Sequence, residues 1–220
     1  MKRVILSENA HPALLAALKK TGRELHLVSP APGFSPGVGD HADLRFISVR
    51  GELLSAPADF APGSYPGEAA WCALVLGKYL VHRLDITAPQ VLDAARAHGL
   101  RAVNVSQGYA RCSALPVGEG AVITADRGIA SALRDLGDVE VLEIRPGFVS
   151  LPPYETGFLG GCAGQAGDTV YFNGDILLHP DGESICRFIR DRGLEVFSVP
   201  GAPLRDIGSI IEYKCIYERT

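Results

Sequence analysis

The feature that most constrains this chain is a phrase it uses four times: a helix-like segment that closes on glycine, then a short β-rich strand, then a Pro/Gly turn. The copies run from Pro12 to Gly22 before Arg23–Val28, from Pro89 to Gly99 before Leu100–Val105, from Arg127 to Gly137 before Val139–Ile144, and from Gly182 to Gly193 before Leu194–Val199. In each, apolar residues fall three or four apart, as Leu14, Leu15 and Leu18 do, or Ile185, Phe188 and Ile189, and that spacing marks one buried stripe on a helix. The closing glycine suits the left-handed residue that stops a helix.

Between these phrases lie pairs of strand-like segments: Asp43–Val49 with Glu52–Ser55, Cys72–Leu76 with Tyr79–His82, Arg111–Val117 with Ala121–Ala125, and Phe158–Cys162 with Thr169–Phe172. Arg50-Gly51, Gly77-Lys78 and Gly118-Glu119-Gly120 are short turns of the hairpin kind. A last segment, Ile207–Tyr213, has no strand after it, but Arg3–Ser7 stands just before the first helix and can complete the pair, which closes a ring. Gly99 to Gly137 is 38 residues and Gly22 to Gly99 is 77, about twice that, so one unit is hidden in the longer gap. Its helix would fall near Asp59–Ala70, where Pro57, Pro62 and Pro66 oppose a regular helix. The expected fold is therefore a single α/β domain over residues 1–220. It is a five-fold pseudo-symmetric propeller of ββαβ units, one of them degenerate, with a central cavity lined by the first strand of each hairpin.

Composition narrows the function classes. Hydrophobic residues make up 47% of the chain and charged ones 21%, enough apolar material for a core and too little charge for wholesale disorder. Lys and Arg number 21 against 25 Asp and Glu, and no basic run is long enough to follow a phosphate backbone, so nucleic acid is not an expected partner. No apolar stretch has the length of a membrane span, and the opening residues Met1 to Glu8 reach an acid too early for a signal peptide, so the expected location is cytoplasmic. The five cysteines, Cys72, Cys112, Cys162, Cys186 and Cys215, form no CxxC and no zinc spacing, and their odd number does not suit a secreted disulfide framework.

Five ββαβ units around an axis resemble the pentein, or guanidino-modifying enzyme, fold of arginine deiminases, amidinotransferases and dimethylarginine hydrolases. The phrases Asn104–Ser113, Ile123–Asp126, Gly157–Gly164, Phe172–Asp175 and Asp206–Ser209 resemble an uncharacterised bacterial branch of that superfamily, the DUF6873-like proteins. Two of the chain's segments are similar to catalytic segments of the characterised enzymes. His41-Ala42-Asp43 is similar to their His-x-Asp strand, which supplies an acid/base and a carboxylate, and Gly108–Ser113 is similar to the strand bearing their nucleophilic cysteine. The order differs, because in those enzymes the cysteine strand comes near the C-terminus whereas Cys112 lies mid-chain. Their carboxylate-bearing Gly-Gly-Asp is also altered: here Gly160-Gly161 is followed by Cys162.

Attack on a guanidinium or amidine carbon needs a thiolate, a histidine to protonate the leaving amine, and carboxylates that grip the planar cation. The resemblance assigns these roles to Cys112, His41 and Asp43, and His41 and Asp43, two apart, would face the same side of a strand. Asp126 and Asp206 are candidates for the cation-binding carboxylates missing at Cys162, with Arg111 and Ser113 beside the nucleophile as further substrate contacts. Each also has a plain structural reading. Cys112 suits an apolar core, His41 suits a turn after Gly33, Gly37 and Gly39, and Asp126, Asp175 and Asp206 suit strand-end turns beside glycine. Gly157–Gly164 could approach a phosphate, but no GKS or GKT follows and the next segment reads as a strand. His11-Pro12 and His179-Pro180 read as helix starts, and His179 with Asp175 could form a weak metal pair.

The functions that remain are a cysteine-dependent hydrolase or transferase acting on a small guanidino or amidine compound, requiring no cofactor, and a non-catalytic binding protein that keeps the cavity without the chemistry. An assembly role, as in translation initiation factors of this fold, suits the acidic balance poorly. The expected partner is a small molecule, a cation under the enzyme reading, with a homo-oligomer also open.

Overall fold

Four helices stop where glycine lets the backbone turn left-handed. In the computed structural model, which describes residues 2–214, helices α1 (Pro12–Lys20) and α2 (Pro89–Ala97) are followed by Gly22 and Gly99 at φ +74° and +65°. Two further helices, over Arg127–Arg134 and Gly182–Arg190, end the same way at Gly137 and Gly193. Each glycine N–H donates to a carbonyl three residues back, and the chain then enters a strand. Cys215 lies outside the described residues.

Among the described residues the strands form five small sheets. The N-terminal strand β1 (Lys2–Ser7) runs parallel to β2 (Glu24–Val28) across α1. A bare hairpin, β3 (Phe46–Val49) and β4 (Glu52–Ser55), follows, turning at Arg50-Gly51, where both φ angles are positive. The next sheet joins β5 (Leu74–Leu76), β6 (Tyr79–His82) and, across α2, the parallel β7 (Arg101–Asn104). A single helical turn, α3 (Ala110–Ser113), leads into β8 (Ala114–Val117), which pairs with β9 (Ala121–Thr124); helix α4 (Arg127–Arg134) then crosses to the parallel β10 (Glu140–Glu143). The fourth copy is β11 (Ala163–Ala166), β12 (Thr169–Phe172), α5 (Gly182–Arg190) and β13 (Glu195–Phe197). The last strand, β14 (Ile211–Lys214), pairs antiparallel with β1 from Lys2↔Lys214 to Ile5↔Ile211, so the two ends of the described chain share one sheet.

The sheet without a third strand is the degenerate unit. In place of a helix it has the 3₁₀ turn Gly67–Ala69, in the stretch that three prolines keep from forming a regular helix. Each regular helix buries its apolar stripe: Leu14 and Leu18, Val91 and Ala95, Ile129 and Leu133, Ile185 and Ile189 are all nearly inaccessible. The first strands β3, β14, β11, β8 and β5 lie beside one another in that order and line a cleft of about 430 Å³, with hairpin-turn glycines Gly51, Gly77, Gly118 and Gly167 among its lining residues. Among the described residues no helix is long and apolar enough to cross a membrane.

The sequence pattern starts most first strands too early. Asp43–Val49, Cys72–Leu76, Arg111–Val117 and Phe158–Cys162 begin instead at Phe46, Leu74, Ala114 and Ala163, and Ile207–Tyr213 begins at Ile211. The residues ahead of β3, β8 and β11 are short helical turns: Ala42–Leu44, Ala110–Ser113 and Gly160–Cys162. Some of the N–H groups here bond to carbonyls three or four residues back, as Arg45 N–H does to Ala42 and Ser113 N–H to Tyr109, while Asp43 N–H and Arg111 N–H reach the Gly208 and Cys72 carbonyls of other segments. Pro180 likewise lies ahead of its helix, which begins at Gly182, whereas Pro12 is the first residue of α1.

His82 holds the approach to α3. Its Nε2 donates to the Gly108 carbonyl at 2.6 Å, and Nδ1 lies 2.7 Å from Thr87 Oγ1. Burial lowers its pKa to about 4, so the folded protein binds this proton less readily than the unfolded chain. The stability that depends on neutral His82 is present above pH 6.5 and is lost as pH falls from 6.5 towards 4, about 3 kcal/mol in full. Urea unfolding across that interval should show this slope, and His82→Gln should flatten it.

Candidate active site

Because a helical turn rotates each successive side chain by about 100°, the residues ahead of the strands point to different places. Arg111 and Ser113, which a strand would set on one face, separate completely. The Arg111 guanidinium runs to the floor of the cleft, where Nη1 donates to Gly160 O (3.1 Å) and Ala114 O (3.4 Å), and Nη2 to Ala163 O and Ile210 O (both 3.3 Å). Burial lowers its pKa and the negative charge of Asp43 opposes that shift. Ser113 turns to a separate pocket of about 170 Å³, which Asp126 also lines. Asp126 caps α4 by accepting Ile129 N–H at 2.8 Å and takes a further hydrogen bond from Gln107. Ser113 and Asp126 are therefore not brought together with the other predicted site residues, whereas the Arg111 guanidinium interacts with Asp43 and Asp206 through its charge while its hydrogen bonds go to carbonyls.

Cys112 points the other way and meets His41 and Asp43. One ligand atom from each of the three lies within 4.8 Å of the other two, and all three residues are buried. His41 and Asp43 are not on a strand: Asp43 belongs to the Ala42–Leu44 turn and His41 precedes it. The Cys112 thiol donates to Asp43 Oδ2 at 2.9 Å, and Ser209 Oγ donates to the same oxygen. Asp43 Oδ1 is buried and has no hydrogen-bond donor among the described residues. Such an atom can accept a hydrogen bond from a bound cation, and the same three residues could hold a transition-metal ion.

Asp206 supplies the second carboxylate. Its Oδ1 lies 3.8 Å from His41 Nδ1, while Phe158 N–H and Gly208 N–H hold its two oxygens at 2.9 and 3.0 Å. The carboxylate rests on the Gly160-Gly161 segment, where a Cβ on Gly161 would come within 2.1 Å of Asp206 Oδ1. An acid from another segment thus fills the space beside Gly-Gly, and Cys162 instead packs in the core with its thiol donating to the Leu159 carbonyl. Gly161→Ala is expected to cost about 2 kcal/mol by pushing this carboxylate aside. Thermal unfolding should show Gly161→Ala combined with Asp206→Ala costing less than the two separate losses together. Asp175 is elsewhere, capping the Ile176–Leu178 turn, and His179 faces the Arg145 carbonyl rather than Asp175.

Two site residues carried no sequence signal of their own. Cys72 Sγ lies 3.6 Å from Cys112 Sγ, but its neighbours Trp71 and Ala73 read as core. Ser209 follows Gly208 in the Asp206–Ser209 segment, where a serine beside glycine reads as a turn residue, yet its Oγ bonds to Asp43. The hydrogen bond with Cys72, burial, and the nearby Asp43 charge hold the Cys112 thiol well above its ordinary pKa, and burial raises that of Asp206. Phe34, Val38, Leu44, Leu151, Tyr109 and Phe158 pack over the two thiols.

The sequence profile of a family of unknown function, DUF6873, matches residues 50–211. No curated protein matches the chain by sequence. Solved structures of dimethylarginine dimethylaminohydrolase are similar in fold. An adduct with S-methyl-L-thiocitrulline and one with 4-chloro-2-hydroxymethylpyridine each align with a TM-score of 0.57 and 13% identity, covering 90% of this chain and 92% of theirs. The enzyme from Pseudomonas aeruginosa, as a cysteine-to-serine mutant complexed with citrulline, aligns with a TM-score of 0.55 and 13% identity over 90% of this chain and 91% of its own. The mixed α/β architecture with small sheets is thus the pentein-like fold of those proteins.

Proposed function

We propose that this chain, which belongs to the DUF6873 family, is a cysteine-dependent hydrolase or transferase acting on a small guanidino or amidine compound. The observation that carries the reading is the convergence of Cys112, His41 and Asp43, with a buried carboxylate oxygen of Asp43 left unpaired. The reading takes residues 1–220 as one domain and the five sheets as blades of a pseudo-symmetric propeller. It places the protein in the cytoplasm of a bacterium, with no cofactor and no nucleic-acid or membrane partner.

A planar cation entering the cluster is gripped by Asp43 and Asp206, two buried acids that also feel the positive charge of Arg111. It displaces the Cys112 hydrogen bond to Asp43, and its positive charge reverses the influence that keeps the thiol protonated. Cys112 passes its proton to His41, the thiolate attacks the cationic carbon, a C–S bond forms, and the C–N bond breaks as the leaving amine departs with that proton from His41. Water then attacks the same carbon, His41 takes its proton, and the C–S bond breaks to return Cys112; an amine acceptor in place of water makes the reaction a transfer.

A binding protein without chemistry is the second reading, favoured by the protonated, deeply packed state of the Cys112 thiol. A panel of guanidinium and amidinium compounds, scored for amine or ammonia release and for thermal stabilisation, separates the two. Release that Cys112→Ala abolishes supports the enzyme, and stabilisation with no release by any compound overturns it.

A further inference from the structure

The reaction uses one of the two sulfurs in the site. Cys72 enters from the segment ahead of β5 and Cys112 from α3, and both thiols are buried, with Sγ atoms 3.6 Å apart. Their backbones are also joined, because Arg111 N–H donates to the Cys72 carbonyl at 2.9 Å. Disulfide bonding requires sulfurs about 2.05 Å apart on neighbouring chain segments. With the segments already in contact, side-chain rotation has a short gap to close. Among the described residues Cys162 and Cys186 belong to a different core cluster from this pair.

We propose that Cys72 and Cys112 are a modification site that takes a hydroperoxide and closes reversibly into a disulfide. Cys112 Sγ attacks one peroxide oxygen, the O–O bond breaks, and Cys112 becomes a sulfenic acid as the other oxygen leaves as water or alcohol. Asp43, which already accepts the Cys112 hydrogen bond, is placed to take the thiol proton and pass it to the departing oxygen. Cys72 Sγ then attacks the Cys112 sulfur, the S–S bond forms, and the sulfenic oxygen leaves as water with the Cys72 proton. Two thiols have lost two electrons and two protons, and one hydroperoxide has been reduced. A thiol reductant restores the pair. That closure also disarms the site rests on the reading of Cys112 as its nucleophile; the closure itself does not.

The test treats the full chain with hydrogen peroxide, blocks remaining thiols, and maps non-reduced peptides by mass spectrometry. The expected result is a linked peptide joining Cys72 to Cys112, lost on reduction, with Cys162 and Cys186 still free to alkylate in the unfolded sample. In Cys72→Ser the link is absent and Cys112 proceeds to sulfinic and sulfonic acids. Over-oxidation of Cys112 in the wild-type chain with Cys72 unchanged, or a link between any other pair, overturns the proposal, and this wild-type map stands even where the variant does not fold. A Cys72–Cys112 link in a protein whose turnover survives Cys112→Ala would leave the disulfide intact and remove the catalytic reading.

Discussion

Cys112→Ala is expected to lower turnover of a guanidino or amidine substrate by at least about 10⁴-fold, because among the described residues Cys112 is the thiol grouped with His41 and Asp43, a group that Cys72 does not join. Ser209 shares Asp43 but is a hydroxyl with no base dedicated to it. The same change should leave the fold nearly intact, at a cost of about 1 kcal/mol, since Asp43 keeps its bond from Ser209. His41→Ala should lower turnover by about 10²–10⁴-fold. The double variant should be no worse than Cys112→Ala alone, because a proton donor to the leaving group has no role once the nucleophile is gone. Steady-state rates of the three variants and urea unfolding of each check this. Equal rates for Cys112→Ala and the wild type would remove Cys112 from the reaction.

The second large effect is on stability. Arg111→Met should cost about 3–5 kcal/mol, because it withdraws one guanidinium from four carbonyls and from the buried acids above it. The four acceptors come from the segment following α3 and from those around β11 and β14, so their loss loosens three segments where they meet. Arg111→Lys should recover only part of the loss: an ammonium carries the charge but cannot span four acceptors in the plane of a fork. Denaturant midpoints report this directly, and an Arg111→Met protein within 1 kcal/mol of wild type would show that the donors two of these carbonyls already share, Ser209 Oγ at Gly160 and Ile210 N–H at Ala163, suffice without the guanidinium.

These effects depend on placements that were only partly legible in the sequence. The helix ends were readable because Gly22, Gly99, Gly137 and Gly193 mark positions that side chains rarely occupy, and the hairpin turns were readable for the same reason. The closing of the last sheet by the N-terminal strand followed from a final segment with no strand after it and a first strand standing just ahead of the first helix. The starts of the first strands were not readable: Ala110–Ser113 is apolar enough to pass for strand, and four residues show no helical period. That error had a chemical consequence, because it set Arg111 and Ser113 on one face when the turn sends them to different cavities. Asp126 and Asp206 looked alike, each beside a strand and near glycine. The distinguishing signal was present in Asp126, which stands directly before a predicted helix and caps it, whereas Asp206 has no helix to cap. Cys72 could not be found, because a cysteine between Trp71 and Ala73 is indistinguishable from core until Cys112 is seen beside it.

The central claim, that Cys112 forms a bond to the carbon of a planar cation, is tested most directly by trapping that bond. The protein is incubated with the compound that the panel selects, quenched in acid, digested, and the cysteine peptides are weighed. The account predicts a transient mass gain on the Cys112 peptide, equal to the substrate less its leaving amine, that persists longer in His41→Ala, where water is no longer activated. Turnover of the compound with every Cys112 peptide unmodified, in both proteins and at all quench times, would contradict it.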